Sequence, residues 1–216
     1  MPSLAPHTEK IFDQITLLEC IKDYTLVGGT ALSLQINNRL SEDLDFMKWK
    51  TTKNQKEHVD WVTIEKEIKK TGEIQSFEMY DFNHVQFVVN GVKLSFYISD
   101  KYSPVKVPVY YRNNLKLADL MAITAMKMEV MLRRSNFRDY YDIYSLLQHG
   151  INFRAAVELS LNYSNHVLST KNLLAILSDG SRFSIDSTFL QLEPTYNVSV
   201  FEIENYIKQC IVKEFK

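Results

Sequence analysis

Apolar residues recur along this chain with two different periods, and the change from one to the other divides it. Ile11, Ile15, Leu18 and Ile21 fall at helical spacing, which predicts a first helix over residues 11–21. A short apolar run, 24–27, then meets Gly28-Gly29, and residues 30–38 read as a helix whose N-terminus follows the glycines directly. Asp43-Leu44-Asp45-Phe46-Met47 alternates polar and apolar positions and is expected as a strand, while 61–70 has the pattern of a charged surface helix. The sharpest local signal is Asn90-Gly91 between the alternating runs 84–89 and 92–98, because a type I′ hairpin turn needs two residues that tolerate positive φ. From about Leu115 the period becomes helical: Leu117, Leu120, Met121, Thr124, Met128 and Met131 form one stripe, and 140–147, 153–161 and 199–215 form others. These elements predict an α+β protein, with a small mixed β-sheet and flanking helices in residues 1–114 and a helical domain, 115–216, packing against that core.

Composition narrows the class without naming a function. Folding a chain of 216 residues removes roughly 70% of its unfolded surface from water, so neither a disulfide nor a structural metal is needed for stability. Cys20 and Cys210 lie at opposite ends in no metal-like spacing, which suits a reducing cytoplasm. The opening MPSLAPHTEK lacks a basic region followed by an apolar run, and no later stretch approaches the roughly 18 apolar residues of a membrane helix. A soluble, unexported protein without a membrane partner is expected. The net charge of -1 provides no global field for a polyanion, so any nucleic-acid contact would depend on local basic patches.

The candidate chemistry lies early in the chain. Glycines at Gly28 and Gly29, before a helix starting at Thr30, allow close backbone approach to a phosphate, and the helix's free N–H groups and dipole favour the anion. Alone, such a turn is more often a simple strand-to-helix connection. Asp43-Leu44-Asp45 adds a second feature, because period-two geometry puts both carboxylates on one strand face with Leu44 turned to the core. Their mutual repulsion is relieved by a divalent cation, and such ions activate an attacking oxygen and stabilise a leaving pyrophosphate.

A glycine pair after a hydrophobic residue, a helical spacer and Asp-x-Asp together resemble the signature of the DNA polymerase β-like nucleotidyltransferase superfamily. The fuller string, Leu26-Val27-Gly28-Gly29-Thr30-Ala31-Leu32 through Arg39-Leu40-Ser41-Glu42-Asp43-Leu44-Asp45-Phe46, is similar to the AbiEii/AbiGii toxin family within it. Ala125-Met126-Lys127 and Arg138-Asp139-Tyr140-Tyr141-Asp142-Ile143-Tyr144 match that family's second signature, so the resemblance runs over about residues 26 to 147. It implies a toxin–antitoxin or phage-defence nucleotidyltransferase that moves a nucleotide from a nucleoside triphosphate to an acceptor hydroxyl. The implied acceptor is RNA, the end of a transfer RNA, and the implied partner is a cognate antitoxin. Catalytic roles are implied for Asp43, Asp45, Lys127 and Asp142, with Mg²⁺ or Mn²⁺ on Asp43 and Asp45. Gly28, Gly29, Thr30, Arg39, Ser41 and Lys127 are implied in nucleotide binding.

Spacing alone leaves other readings of the second signature open. Lys127, at the edge of an apolar stripe, either snorkels to water or meets an anion. Arg138 and Asp142 at i and i+4 suit a surface ion pair, whereas Asp139 and Asp142 at i and i+3 share a face and could approach a metal. Superfamily members often carry a third carboxylate on a following strand, where this chain offers the neutral Ser95. That departure suggests one rival, a non-catalytic nucleotide- or RNA-binding module. A small-molecule, antibiotic-modifying nucleotidyltransferase is the other. His84 reads as a packed histidine, and two basic clusters could contact RNA: Lys48-Trp49-Lys50 with Lys53 and Lys56, and Arg133-Arg134 with Arg138.

Overall fold

The computed structural model describes residues 3–51, 58–164, 169–185 and 187–215. It divides into two compact units, one of Met1–Leu34 and Leu40–Asp119, the other of Gln35–Arg39 and Leu120–Lys216.

The first unit opens with helix α1 (Pro6–Thr16), which starts five residues before the apolar spacing suggested. Proline at its first position has φ already set for a helix and loses no hydrogen bond there. The helix stops at Thr16, and Glu19–Ile21 forms a separate 3-10 turn. Strand β1 (Thr25–Val27) leads directly into helix α2 (Gly28–Ile36), which absorbs both glycines and ends where Asn37 turns left-handed at φ 50°. Next come β2 (Leu44–Trp49), α3 (Trp61–Ile68), β3 (Ile74–Asp81), β4 (His84–Val89), β5 (Val92–Ser99), β6 (Val109–Arg112) and β7 (Leu115–Leu117). Asn90 at φ 49° and Gly91 at φ 79° supply the two left-handed residues of the hairpin turn between β4 and β5.

The seven strands form one sheet in the order β3-β4-β5-β2-β1-β7-β6, with β2 parallel to β5, β1 parallel to β7 and the other pairs antiparallel. Its last strand follows the expected boundary at 114, and Leu115 and Leu117 belong to β7 and not to a helical stripe. A Leu-Lys-Leu segment is too short for its period to be told from the helix that follows.

Strand register separates the two faces. Leu26, Phe46, Phe96 and Val85 stand side by side on one row and are all essentially buried. That face carries the core, with Phe46 stacked on Phe96 at 4.9 Å and Tyr24 edge-on to Phe96 at 5.3 Å. The next row, Val27, Asp45, Ser95, Gln86 and Glu78, points the other way.

In the second unit, helices α4 (Leu120–Val130), α5 (Phe137–Gln148), α6 (Phe153–Tyr163), α7 (Thr170–Leu177) and α8 (Val200–Phe215) surround a core that includes Tyr140, Ile143, Phe153, Leu173, Leu177, Ile203 and Ile207. Asn136, Asn152 and Ser169 cap three of them by accepting from backbone N–H groups. The Tyr140 hydroxyl donates to the Leu177 carbonyl at 2.9 Å, and the Tyr141 hydroxyl donates to the Asn38 carbonyl at 3.0 Å, so both buried rings are satisfied at their polar ends. No helix among the described residues is long and apolar enough to cross a membrane.

Candidate active site

The first unit brings Gly28, Thr30, Ser41, Asp43 and Asp45 together. Gly28 begins α2 with φ 70°, and a Cβ built on it would lie 3.1 Å from Asp45 Oδ2. Glycine is therefore required twice here, by the backbone angle and by the carboxylate beside it. Leu44 is fully buried, so the flanking Asp43 and Asp45 share the opposite face, as the alternation requires.

The segment that carries the carboxylates is clamped from both sides. The Ala5 N–H donates to the Ser41 carbonyl at 2.9 Å, and the Thr8 hydroxyl donates to the Glu42 carbonyl at 2.7 Å. On the other side, the Thr30 hydroxyl donates to the Asp43 carbonyl. With its one proton so used, Thr30 accepts from the Ser41 hydroxyl at 2.7 Å. Thr30 and Ser41 are both buried, so these side chains hold the Asp43 backbone in place.

Strand β5 completes this face with two residues. Ser95 is the direct neighbour of Asp45 across the parallel β2–β5 pairing and is 5% exposed. Lys93, one alternation earlier, places Nζ 2.7 Å from Asp43 Oδ2. Partial burial would lower its pKa, but the hydrogen bond and charge of Asp43, with Asp45 behind it, raise it above the ordinary lysine value. Reasoning from the sequence passed over Lys93; the signal was the β5 alternation, which puts it on the face of Ser95. Farther along this face the rings of Tyr97, His84 and Tyr80 follow one another, with centroids 5.8 and 4.7 Å apart. His84 is thus a packed histidine.

In the second unit, Asp142 is fully buried at the centre of an ion cluster. Arg39 donates to it from Nε at 2.9 Å and from its terminal nitrogen at 2.9 Å, Asn38 donates at 2.8 Å, and Lys127 Nζ lies 2.7 Å from Oδ2. Burial pushes the Asp142 pKa up, but Arg39 and Lys127 outweigh it and hold it at about 2. Lys127 also donates to Asp139 at 2.9 Å, and Asp139 receives Arg134 at 2.7 Å. Lys127 therefore does not snorkel: it is buried and doubly paired. Nor does Asp142 pair with Arg138, which donates to the Thr188 hydroxyl at 2.9 Å.

The basic clusters are largely engaged. Lys50 pairs with Asp100 at 2.7 Å, Arg133 with Glu129 and Arg134 with Asp139, while Lys53 and Lys56 lie outside the described residues. Among the described residues no group of three or more His, Cys, Asp or Glu side chains has an arrangement suited to a metal. Asp43 and Asp45 are an all-oxygen donor pair, which suits a hard divalent cation whose remaining ligands come from water or phosphate.

A mixed sheet here sets a glycine turn at a helix N-terminus against Asp-x-Asp on the adjacent strand, and the family match makes the chain a nucleotidyltransferase. The model of the nucleotidyl transferase AbiEii toxin, type IV TA system, matches residues 12–180, and the chain belongs to that family. An uncharacterized protein of Aquifex aeolicus (strain VF5) is 24% identical over 220 residues, covering 100% of this chain and 98% of that protein. Among solved structures, MenT4, a nucleotidyltransferase toxin from Mycobacterium tuberculosis H37Rv, is similar with a TM-score of 0.58 at 16% identity, over 94% of this chain and 82% of that one. JHP933 from Helicobacter pylori is similar with a TM-score of 0.56 at 16% identity, over 97% and 94%. At these identities the likeness shows a shared fold. Family membership implies a nucleoside triphosphate as substrate and an antitoxin as partner.

Proposed function

We propose that this nucleotidyltransferase is metal-dependent and transfers a nucleotidyl group from a nucleoside triphosphate to an RNA hydroxyl, with the end of a transfer RNA as acceptor. The acceptor oxygen bonds to the α-phosphorus, the α–β phosphoanhydride bond breaks, the hydroxyl proton is lost and pyrophosphate leaves. The observation that carries this reading is the approach of the Gly28 backbone to Asp45, which sets the N-terminus of α2 beside the Asp43–Asp45 pair. Free N–H groups there suit phosphate oxygens. A divalent cation held by Asp43 and Asp45 supplies Lewis-acid charge at the α-phosphoryl group.

The remaining residues take supporting roles in the proposal. Gly28 and Gly29 admit the phosphates, while Thr30 and Ser41 fix the segment that presents Asp43. Asp142 is a positioning residue: it holds Asn38 and Arg39, which lead in sequence into Ser41 and Asp43. Arg39 acts through that same bond. Lys127, paired with Asp139 and Asp142, we assign to neutralising phosphate charge only because the family resemblance implies that role. The acceptor base we assign to the Tyr97, His84 and Tyr80 rings, since aromatic faces on a sheet stack unpaired bases.

The test is incubation of the protein with total cellular RNA, Mg²⁺ and each α-labelled triphosphate in turn. Label should enter a transfer-RNA-sized band with a preferred triphosphate and only in the presence of Mg²⁺. Triphosphate binding without labelling of any RNA would contradict the reading.

A further inference from the structure

The ion pair between Lys93 and Asp43 has no counterpart among the roles given above. Its nitrogen sits 2.7 Å from Asp43 Oδ2, and the two side chains are 39% and 40% exposed, so the pair can open without disturbing the core. Both residues stand on the sheet face opposite the buried row, with Ser95 next to Asp45 contributing no charge. The lysine is thus a built-in cation facing two carboxylates that would otherwise repel each other.

We propose that Lys93 is an exchangeable counter-ion: it holds Asp43 while no metal is present and yields that oxygen when a divalent cation binds. The proposal rests on the reading of Asp43 and Asp45 as the metal ligands. A cation bound by both carboxylates draws on the same negative charge of Asp43 that Lys93 now neutralises at Oδ2, so lysine and metal compete for one anion. The displaced ammonium then becomes available to a triphosphate oxygen. Metal and nucleotide binding consequently reinforce each other, and loading of the metal alone is held back.

The experiment is titration of the whole chain with Mn²⁺, free ion being followed by its electron paramagnetic resonance signal, for wild type, Lys93→Gln, Lys93→Met and Lys93→Arg. Melting curves establish that each variant is folded, and the two neutral variants back each other up. Without nucleotide, both neutral variants should bind Mn²⁺ roughly two- to fivefold more tightly than wild type, the range that partly exposed ion pairs contribute, and Lys93→Arg should match wild type. Unchanged or weaker Mn²⁺ binding by both folded neutral variants would overturn the exchange. A second series measures how much triphosphate affinity rises on adding Mn²⁺; the rise should be smaller in Lys93→Gln, and an equal rise would overturn the coupling. Failure of every protein, wild type included, to bind Mn²⁺ with or without triphosphate would overturn the proposal together with the metal reading beneath it.

Discussion

Replacing Asp142 by Asn should unfold the protein far more easily than a change of one atom suggests. Asp142 is fully buried, and its two oxygens receive four donors from Asn38, Arg39 and Lys127. The amide keeps the shape but removes the charge and turns an NH₂ group towards other donors. Lys127 still has Asp139, whereas Arg39, itself buried, is left with a neutral partner. Removing one member of a buried ion pair costs about 3–5 kcal/mol, a large share of the 5–15 kcal/mol of typical native stability. With a denaturant slope of about 2 kcal/mol per molar, the urea midpoint followed by circular dichroism should fall by about 1.5–2.5 M. Adding Arg39→Gln to Asp142→Asn removes the buried guanidinium that faced the lost carboxylate, so the double variant should lose less than the sum of the single losses, by about 1–3 kcal/mol. Additive losses, or an Asp142→Asn cost below about 1 kcal/mol, would refute the reading of this cluster as a hub.

Other outcomes follow from the same geometry. The Asp142 pKa lies at about 2 against an ordinary value of 3.8, so its contribution of about 2 kcal/mol is complete above pH 4 and is lost as the pH falls towards 2; stability measured against pH should show a shallower acid limb in Asp142→Asn than in wild type, the remainder coming from carboxylates such as Asp139. Gly28→Ala forces a side chain into left-handed backbone 3.1 Å from Asp45 Oδ2, and should cost about 1–2 kcal/mol and abolish transfer; a variant with wild-type melting and transfer rate would show that the close approach does not matter. Tyr97→Ala should raise KM for the RNA acceptor about fivefold or more with little change for the triphosphate, since stacked bases contribute about 1–3 kcal/mol each; equal effects on both substrates would remove the ring from the acceptor's path. Burial first, and then the nearby Glu67 carboxylate, push the Cys20 thiol up to about 12. Its alkylation by iodoacetamide at pH 8 should therefore be slow until the chain is denatured, and rapid labelling of Cys20 in the native protein would contradict that environment.

The centre of the sheet was readable because each of its elements carries a local signature: glycines after β1, alternation around Asp43 and Asp45, and Asn90-Gly91 between β4 and β5. Strand β3 was not, because almost every residue of this edge strand is exposed and register shifts at Ile74/Ser76 and Met79/Asp81 leave only Phe77 and Met79 in alternation. The short strands β6 and β7 merged with the helical period of α4. The same limit applies to side chains. Alternation shows that Lys93 and Ser95 share a face, but only the parallel pairing of β5 with β2, a long-range fact, sets them beside Asp43 and Asp45. Likewise, helical spacing offered Arg138 as the partner of Asp142, whereas the partner in the fold is Arg39, 103 positions away.

The central claim, that Asp43 and Asp45 make this fold a metal-dependent nucleotidyl transferase for RNA, is tested most directly by following an α-labelled triphosphate in wild type and Asp45→Asn. Asn preserves the shape of the side chain and removes the charge that would hold the metal, and it relieves repulsion with Asp43, so the variant should melt at or slightly above the wild-type temperature without metal. Wild type with Mg²⁺ should pass the α-label to RNA and release one pyrophosphate for each nucleotide transferred, and Asp45→Asn should do neither. Equal transfer by the two proteins would contradict the metal role of Asp45, and stabilisation of the wild type by Mg²⁺ and triphosphate without any transfer would identify a nucleotide-binding module in place of an enzyme acting on RNA.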